Sequence, residues 1–362
     1  MEQCNILSSS SILLSFMVLL LLCASNNGVV EAGKVTAIIV FGDSSVDAGN
    51  NNFIPTLARS NFEPYGRDFE GGKPTGRFCN GRISPDFMSE AFGLKPVVPA
   101  YLDPTYSIKD FATGVCFASA GSGYDNATSD VMSVIPLWKE VEYFKEYKEK
   151  LISFLGEEKA METLNEALYV VSIGTNDFLE NYFAGPRRSA HFTIDEYQDL
   201  LLSIARNFLM DLYILGARKV SVAGLPPMGC LPLERATNLK SKNACKEDYN
   251  KLALDFSEKI KNLVTKLRNL LVGFRPVFSN AYDPILEAIQ KPEVFGLETV
   301  EVGCCGTGIY EMGVLCHADN SLSCTDATKY VFWDAFHGTE TLNQIVTDYL
   351  LKTSLAEFVG ES

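Results

Sequence analysis

The sequence has few basic residues and very few histidines. Its 362 residues include 31 Lys and Arg against 45 Asp and Glu, which gives a formal net charge of −14 at pH 7. An acidic surface repels phosphate backbones and anionic membranes, so the charge argues against nucleic acid as a partner. Only His191, His317 and His337 offer an imidazole as a general base. The sequence also lacks an internal repeat, a low-complexity tract and a linker, and we therefore expect one domain over 33–362.

The N-terminal segment lacks a basic residue, and its apolar run is short. Residues 12–24 are almost entirely apolar, a length typical of a secretory signal and too short for a typical membrane span. We expect cleavage after Ser25 or Ala32, a secreted extracellular protein and no stable membrane anchor afterwards; a retained anchor is the alternative. The only standard glycosylation sequon begins at Asn126, which would then be a surface position.

The cysteines lack any Cys-x-x-Cys spacing, which weakens a zinc-site interpretation. Two of the ten, Cys4 and Cys23, lie in the predicted signal, and the remaining eight form an even number. An oxidising compartment would pair them as disulfides, with Cys230 and Cys245 closest across a loop. Zinc is the competing interpretation for the segment 304–324, although the adjacent Cys304 and Cys305 cannot easily ligate one tetrahedral ion. The eight are Cys79, Cys116, Cys230, Cys245, Cys304, Cys305, Cys316 and Cys324.

Short apolar runs alternate with long amphipathic segments along the whole mature chain. This alternation predicts an α/β fold with a parallel sheet covered by helices on both faces. The predicted strands are 37–41, 111–118, 168–173, 219–223 and 276–279, and the main predicted helices are 84–92, 137–155, 194–216, 247–271 and 339–351.

The first predicted strand ends in Gly-Asp-Ser and brings Ser44 to the carboxyl end of the sheet. Chemistry in open α/β sheets takes place at that edge, so Ser44 is a candidate nucleophile, although a turn or helix cap is the commoner use of such a serine. Near the C-terminus, His337 follows Asp334 by three residues. That spacing can bring the carboxylate to the imidazole and stabilise the imidazolium formed when a serine gives up its proton. Alone, the spacing is common, and a structural histidine is then the default.

Acyl transfer also needs hydrogen-bond donors for an oxyanion. The backbone N–H of Ser44, the small-residue turn at Gly121 and the side chain of Asn176 each follow a predicted strand. Because the carboxyl ends of parallel strands meet at one edge, the three donors can converge there. Alone, the turn at Gly121 could equally serve tight packing or plain turn chemistry, and Asn176 could equally be a turn residue or a helix cap. Further along, Leu137, Trp138 and Val141 could line an acyl site, but such a helix face is more typical of core.

Taken together, the motifs resemble the plant GDSL esterase/lipase family of the SGNH hydrolase superfamily. The resemblance covers essentially the whole mature chain. The matching stretches are Phe41-Gly42-Asp43-Ser44, Asn50-Asn51-Asn52, Pro74-Thr75-Gly76-Arg77-Phe78, Phe117-Ala118-Ser119-Ala120-Gly121-Ser122-Gly123, Ile173-Gly174-Thr175-Asn176-Asp177, Gly224-Leu225-Pro226-Pro227 and Phe332-Trp333-Asp334-Ala335-Phe336-His337.

The resemblance implies a three-layer α/β/α fold with a flavodoxin-like, mostly parallel sheet, known as the SGNH hydrolase fold. It implies Ser44 as nucleophile, His337 as general base and Asp334 as the partner that orients it. The oxyanion hole would be formed by the Ser44 N–H, Gly121 and Asn176, with Gly123 as the alternative glycine. No cofactor or metal is implied.

We therefore expect a secreted serine esterase or lipase that hydrolyses lipid or other acyl esters through an acyl-enzyme, in the apoplast or cell wall. One alternative is an acyltransferase, in which an alcohol replaces water in the second step. Another is a secreted binding protein that keeps the fold without turnover. Acyl chain length, oligomeric state and disulfide connectivity do not follow from the sequence.

Overall fold

A five-stranded parallel sheet with strand order β2-β1-β3-β4-β5 forms the centre of the structure. The structure is a computed structural model that describes residues 35–241, 243–318 and 322–360. This strand order is that of flavodoxin-like folds, and it confirms the predicted fold class. The strands are β1 (Ile38–Gly42), β2 (Gly114–Cys116), β3 (Leu168–Ser172), β4 (Lys219–Ala223) and β5 (Arg275–Ser279).

Helices connect the strands and cover both faces of the sheet. They are α1 (Ser84–Ala91), α2 (Ile108–Phe111), α3 (Asn126–Met132), α4 (Leu137–Leu155), α5 (Glu157–Glu166), α6 (Ile194–Leu215), α7 (Pro232–Ala236), α8 (Glu247–Leu270), α9 (Tyr282–Gln290) and α10 (Glu340–Lys352), with a π-helix over Asp177–Phe183. Short 3₁₀ turns lie at Asn50–Phe53, Glu70–Gly72, Met228–Cys230, Pro292–Phe295, Gly313–Leu315 and Ala327–Lys329.

The alternation of side chains along β3 shows how both faces are covered. Tyr169 packs against Phe144 of α4, with ring centroids 5.7 Å apart, whereas the next residue, Val170, faces a cleft lined by α10. On the first face α6 packs beside α4 and α8, and on the second α10 packs against α1 and α9. Because both faces are buried, the strands carry continuous apolar runs instead of alternating ones.

Several parts of the chain differ from the prediction, and the helices α2, α3, α5, α7 and α9 were not predicted. The predicted strand 111–118 is reduced to Gly114–Cys116, because the preceding residues form α2, which is capped by Ser107. A second, two-stranded parallel sheet pairs β6 (Thr299–Gly303) with β7 (Tyr330–Phe332) and was not predicted. The alternation of Val300 and Val302 with polar residues in β6 is a strand signal that the prediction overlooked. The pairing of β6 with β7 spans the Cys-rich loop.

Among the described residues, three disulfides are present and two cysteines remain as thiols. The bonds join Cys230 to Cys245, Cys304 to Cys324 and Cys305 to Cys316. The first confirms the predicted nearest pairing, and the other two use the cysteines that a zinc site would have needed. The expectation that all eight cysteines pair is wrong, because Cys79 and Cys116 are buried at separate places. Cys116 lies in β2 with its sulfur against Val46, whereas Cys79 lies in a turn beside Asn343.

The predicted signal segment, 1–32, lies outside the described residues. Within the three described ranges, no helix is long and apolar enough to cross a bilayer.

Candidate active site

Strand β1 ends in a tight turn that presents Ser44. Gly42 adopts a φ of 142°, and a Cβ at this position would collide with the carbonyl oxygen of Ser172 in the neighbouring strand, so only glycine fits. The Gly42 N–H donates to Oε2 of Glu140 at 2.9 Å, and the Asp43 N–H donates to the Ser172 carbonyl at 3.0 Å. These bonds fix the backbone immediately before Ser44.

Ser44, His337 and Asp334 form a continuous hydrogen-bonded chain. Ser44 Oγ lies 2.8 Å from His337 Nε2, and His337 Nδ1 lies 2.8 Å from Oδ2 and 3.0 Å from Oδ1 of Asp334. All three side chains are buried. A carboxylate only accepts hydrogen bonds, so Nδ1 carries a proton and the Nε2 lone pair of a neutral His337 faces the Ser44 hydroxyl. This is the arrangement in which an imidazole can accept a proton from serine.

Asp334 is held by three donors besides the imidazole. The backbone N–H groups of Phe336 and His337 donate to Oδ1 at 2.8 and 2.7 Å, and the Tyr65 hydroxyl donates to Oδ2 at 2.7 Å. The Gly313 N–H in turn donates to the Tyr65 hydroxyl at 2.8 Å. Tyr65 was not among the predicted site residues. Its only sequence signal is a Pro-Tyr-Gly turn in an aperiodic loop.

The predicted oxyanion donors lie beside Ser44. Asn176 Nδ2 donates one hydrogen to the Ser122 carbonyl at 2.9 Å, which leaves its second N–H for a ligand. Among the described residues, neither the Ser44 nor the Gly121 backbone N–H donates a hydrogen bond within the protein. Gly121 has a φ of 85° and lines the same pocket as Ser44 and Asn176. The alternative glycine, Gly123, does not line that pocket.

Two pockets meet at Ser44 and His337. The first, which we call the inner cleft, is a cavity of about 160 Å³ that runs between the sheet and the helices α1, α9 and α10. Beyond Ser44 and His337 it is lined chiefly by apolar side chains, including Met88, Leu231, Ile285, Leu342, Val346 and Leu350.

The second, which we call the outer pocket, has a volume of about 200 Å³ and contains the candidate oxyanion donors. Its outer wall is exposed, because Leu57 and Val314 keep 81% and 51% of their surface accessible. The outer pocket is lined by Leu57, Gly121, Asn176, Glu180, Met312 and Val314, among others.

Glu180 is a carboxyl group in the outer pocket that was also not predicted. It lies on the π-helix that follows Asn176, and such helices are often found at functional sites. Its Oε2 is buried and has no hydrogen-bond partner among the described residues. The pKa of Glu180 is raised to about 7, chiefly by burial; His337 opposes this shift, and the nearby Asp43 adds to it.

The other candidates of the sequence lie elsewhere. His191 and His317 are exposed and line neither pocket. Leu137 and Val141 are buried core residues, and Trp138 is largely exposed. Asn126 is exposed at the first residue of α3. Of the predicted site residues, the structure therefore brings together Ser44, Gly121, Asn176 and His337, with Asp334 behind the imidazole.

Comparison with known proteins agrees with this arrangement. The sequence model of the GDSL-like Lipase/Acylhydrolase family matches residues 38–350. Two proteins of Arabidopsis thaliana, each named GDSL esterase/lipase, are 62% and 59% identical to this chain over 323 and 331 residues. These alignments cover 89% and 91% of this chain, and 92% and 95% of the two relatives. The matches confirm the family predicted from the motifs, and with it the class of enzyme, a carboxylic ester hydrolase.

Proposed function

The chain belongs to the GDSL-like lipase/acylhydrolase family, and from that membership we propose that it is a secreted serine esterase that works through an acyl-enzyme. The observation that carries this proposal is the hydrogen-bonded chain Ser44–His337–Asp334, in which the two shortest nitrogen-to-oxygen contacts are 2.8 Å. The unused N–H groups of Ser44, Gly121 and Asn176 next to the serine support the same function.

In the first half-reaction, Ser44 Oγ attacks the ester carbonyl carbon while His337 Nε2 accepts its proton. Asp334 stabilises the imidazolium through Nδ1 and keeps the ring oriented. The carbonyl oxygen becomes an oxyanion and accepts hydrogen bonds from the N–H groups of Ser44, Gly121 and Asn176. His337 then donates its proton to the ester oxygen, and the alcohol leaves.

In the second half-reaction, water takes the place of the alcohol. His337 removes a proton from the water as it attacks the acyl carbonyl, and the same donors hold the second oxyanion. Collapse of the intermediate releases the carboxylic acid and returns the proton to Ser44 Oγ. No metal or cofactor takes part in these steps.

Covalent labelling tests the nucleophile directly. An alkyl fluorophosphonate should phosphonylate Ser44, and peptide mass spectrometry should locate the adduct on that residue. His337→Ala should slow labelling strongly because the serine loses its base. Ser45→Ala is the matched control, since Ser45 neighbours the nucleophile and contacts Asp43 and Ser172 instead. An adduct on another residue, or none in the folded wild type, contradicts the proposal.

Export and glycosylation belong to the same proposal. Three disulfides are typical of proteins that fold in an oxidising compartment, and Asn126 is exposed as a glycan acceptor must be. Expression in plant cells should yield a protein that lacks the segment 1–32 or most of it. Its mass should fall on glycosidase treatment and be unaffected by the same treatment in Asn126→Gln. A full-length intracellular product contradicts this part.

A further inference from the structure

The outer pocket contains one buried carboxyl oxygen that the protein itself leaves without a hydrogen-bond donor. Oε2 of Glu180 is buried, and no described residue donates a hydrogen bond to it. A buried acceptor without a donor is costly, because it has lost its hydrogen bonds to water and gained none. Such a group at the wall of an active-site pocket is satisfied when a ligand brings the donor.

Asp177, a second carboxylate on the same π-helix, has a structural role that can be compared with Glu180. Asp177 accepts the backbone N–H groups of Tyr124 and Asp125 and the hydroxyl of Thr128, so both of its oxygens are used within the protein. It thereby holds the loop that carries Gly121. Glu180 lies three residues later, and its buried Oε2 accepts no hydrogen bond from the described part of the chain. The difference points to a role toward the substrate.

The acyl chain of the substrate fits the inner cleft better than the outer pocket. Leu342, Val346 and Leu350 recur every four residues along α10, so they form an apolar row of about 12 Å at 1.5 Å per residue. The cavity of about 160 Å³ is close in volume to an apolar cavity that holds a six-carbon ring. An acyl chain of roughly six to eight carbons can therefore be buried there.

The alcohol part of the ester fits the outer pocket better than the inner cleft. During turnover the acyl group stays bound to Ser44 while the alcohol departs and water enters, which requires a route to solvent. The outer pocket offers this route, because Leu57 and Val314 on its wall are exposed. It also places the alcohol next to Glu180.

We propose that Glu180 is a specificity-determining residue that accepts a hydrogen bond from a free hydroxyl on the alcohol part of the ester. The preferred substrates are then medium-chain esters of polyols, with the acyl chain in the inner cleft and a hydroxyl-bearing alcohol in the outer pocket. This inference rests on the proposed function, since it assumes an ester bound at Ser44.

The test compares two esters that differ only in hydroxyl groups. Glycerol 1-octanoate and propyl octanoate have the same acyl chain and the same three-carbon alcohol skeleton. The wild type should show a higher kcat/KM for the glycerol ester, and the ratio of the two values is the quantity of interest. A site that hydrogen-bonds a substrate hydroxyl discriminates against the analogue that lacks it, here on the order of 10–100-fold.

Variants of Glu180 distinguish a role in substrate specificity from a structural role of this side chain. Glu180→Met keeps the length of the side chain and removes both acceptor oxygens, so the ratio should fall to about one, chiefly through a lower kcat/KM for the glycerol ester. Glu180→Gln keeps one carbonyl acceptor and should retain part of the preference. Glu162→Met on α5 is the matched control, because Glu162 is exposed and lines neither pocket, and it should leave the ratio unchanged.

Each other outcome overturns the inference in a recognisable way. An equal loss on both esters in Glu180→Met shows a structural or general catalytic role. A wild type without preference for the glycerol ester refutes the hydroxyl contact even where no variant folds, while the esterase function stands. The wild type could instead show a higher kcat/KM for methyl 3-hydroxyoctanoate than for methyl octanoate, with this preference lost in Glu180→Met. In that case Glu180 binds a hydroxyl on the acyl chain, and the assignment of the two pockets is wrong. If the wild type hydrolyses none of these esters, the proposed function fails together with the inference.

Discussion

The hydroxyl of Tyr65 donates a hydrogen bond of 2.7 Å to Oδ2 of Asp334, across 269 residues of sequence. The same hydroxyl accepts the backbone N–H of Gly313, so it connects the carboxylate to the Cys-rich segment. Burial, together with the adjacent Asp334, raises the pKa of Tyr65 well above its usual value, and the phenol therefore stays a donor throughout the working pH range. The orientation of His337 thus depends on a loop near the N-terminus of the domain.

Tyr65→Phe should lower kcat by about tenfold or more and leave KM for a p-nitrophenyl ester within about twofold. A hydrogen bond to a charged group contributes about 1.5–3 kcal/mol, and Tyr65 contacts Asp334 and not the substrate. Steady-state kinetics measures both constants. Tyr213→Phe is the control, because its hydroxyl donates to the Val272 carbonyl at the other edge of the sheet. A Tyr65→Phe enzyme with normal kcat shows that the remaining donors suffice.

Asn176→Ala should lower kcat by about 10²–10³-fold with little change in KM, the usual effect of removing one side-chain donor from an oxyanion hole. The loss should be similar for esters of different chain length, since the proposed role of the amide is to bind the carbonyl oxygen and not the chain. Asn207→Ala, an exposed position on α6, should be neutral. Loss of binding with unchanged kcat in Asn176→Ala would indicate that the amide contacts the substrate elsewhere.

Removal of the Cys305–Cys316 disulfide should reduce both stability and activity. The loop that it closes contains Gly313, which donates to Tyr65, and Glu311, whose carbonyl accepts the Ala335 N–H next to Asp334. The double variant C305S/C316S should lose about 2–4 kcal/mol of unfolding free energy and also have a reduced kcat at temperatures where it is folded.

The disulfide between Cys230 and Cys245 provides the comparison. Its loop is of similar length and contributes the Leu233 N–H to the Ala335 carbonyl, but among the described residues it provides no donor to the Asp334 carboxylate or to Tyr65. C230S/C245S should lose a similar amount of stability, measured by urea unfolding, with a much smaller effect on kcat. Equal effects of the two double variants on kcat would show that the Cys-rich segment has no particular connection to the triad.

The stability of the protein should fall as the pH rises from about 5 to 8, partly because of Glu180. Its pKa is raised from 4.5 to about 7 in the folded state, so the native protein holds a proton that the unfolded chain has released. Where the native state binds more protons, unfolding free energy decreases with pH, and this contribution is lost as the pH passes through 7.

Glu180→Gln should remove on the order of 1–3 kcal/mol of this pH dependence, because the amide does not titrate. Urea unfolding at pH 5 and pH 8 measures it, with the exposed Glu162→Gln as control. Identical pH dependence in wild type and Glu180→Gln would mean that Glu180 keeps an ordinary pKa when folded.

The parts of the fold that the sequence predicts are those with a local signal. Strand β4 is found at the predicted residues, Lys219–Ala223, because a buried β-branched run between a helix end and a Gly-Leu-Pro-Pro turn has few alternatives. His337 and Asp334 were identified because three residues of spacing on one turn are enough to join them. Ser44 and Asn176 were identified because each directly follows a buried strand.

The site residues and thiols that were not predicted from the sequence depend on contacts between distant segments. Tyr65 lies in a loop without periodicity, and only the folded chain brings it to Asp334. Glu180 differs from an ordinary surface glutamate only through the π-helix that turns it into the outer pocket. The thiols of Cys79 and Cys116 could not be identified from an even number of cysteines, because parity does not say which sulfurs are close.

The most direct test of the central claim is the hydrolysis of p-nitrophenyl esters from acetate to palmitate by wild type, Ser44→Ala and Ser45→Ala. The wild type and Ser45→Ala should be active, with an optimum near six to eight carbons, and Ser44→Ala should lose about 10⁴-fold or more in kcat. If folded Ser44→Ala hydrolyses these esters at a rate close to that of the wild type, Ser44 is not the nucleophile and the account is wrong.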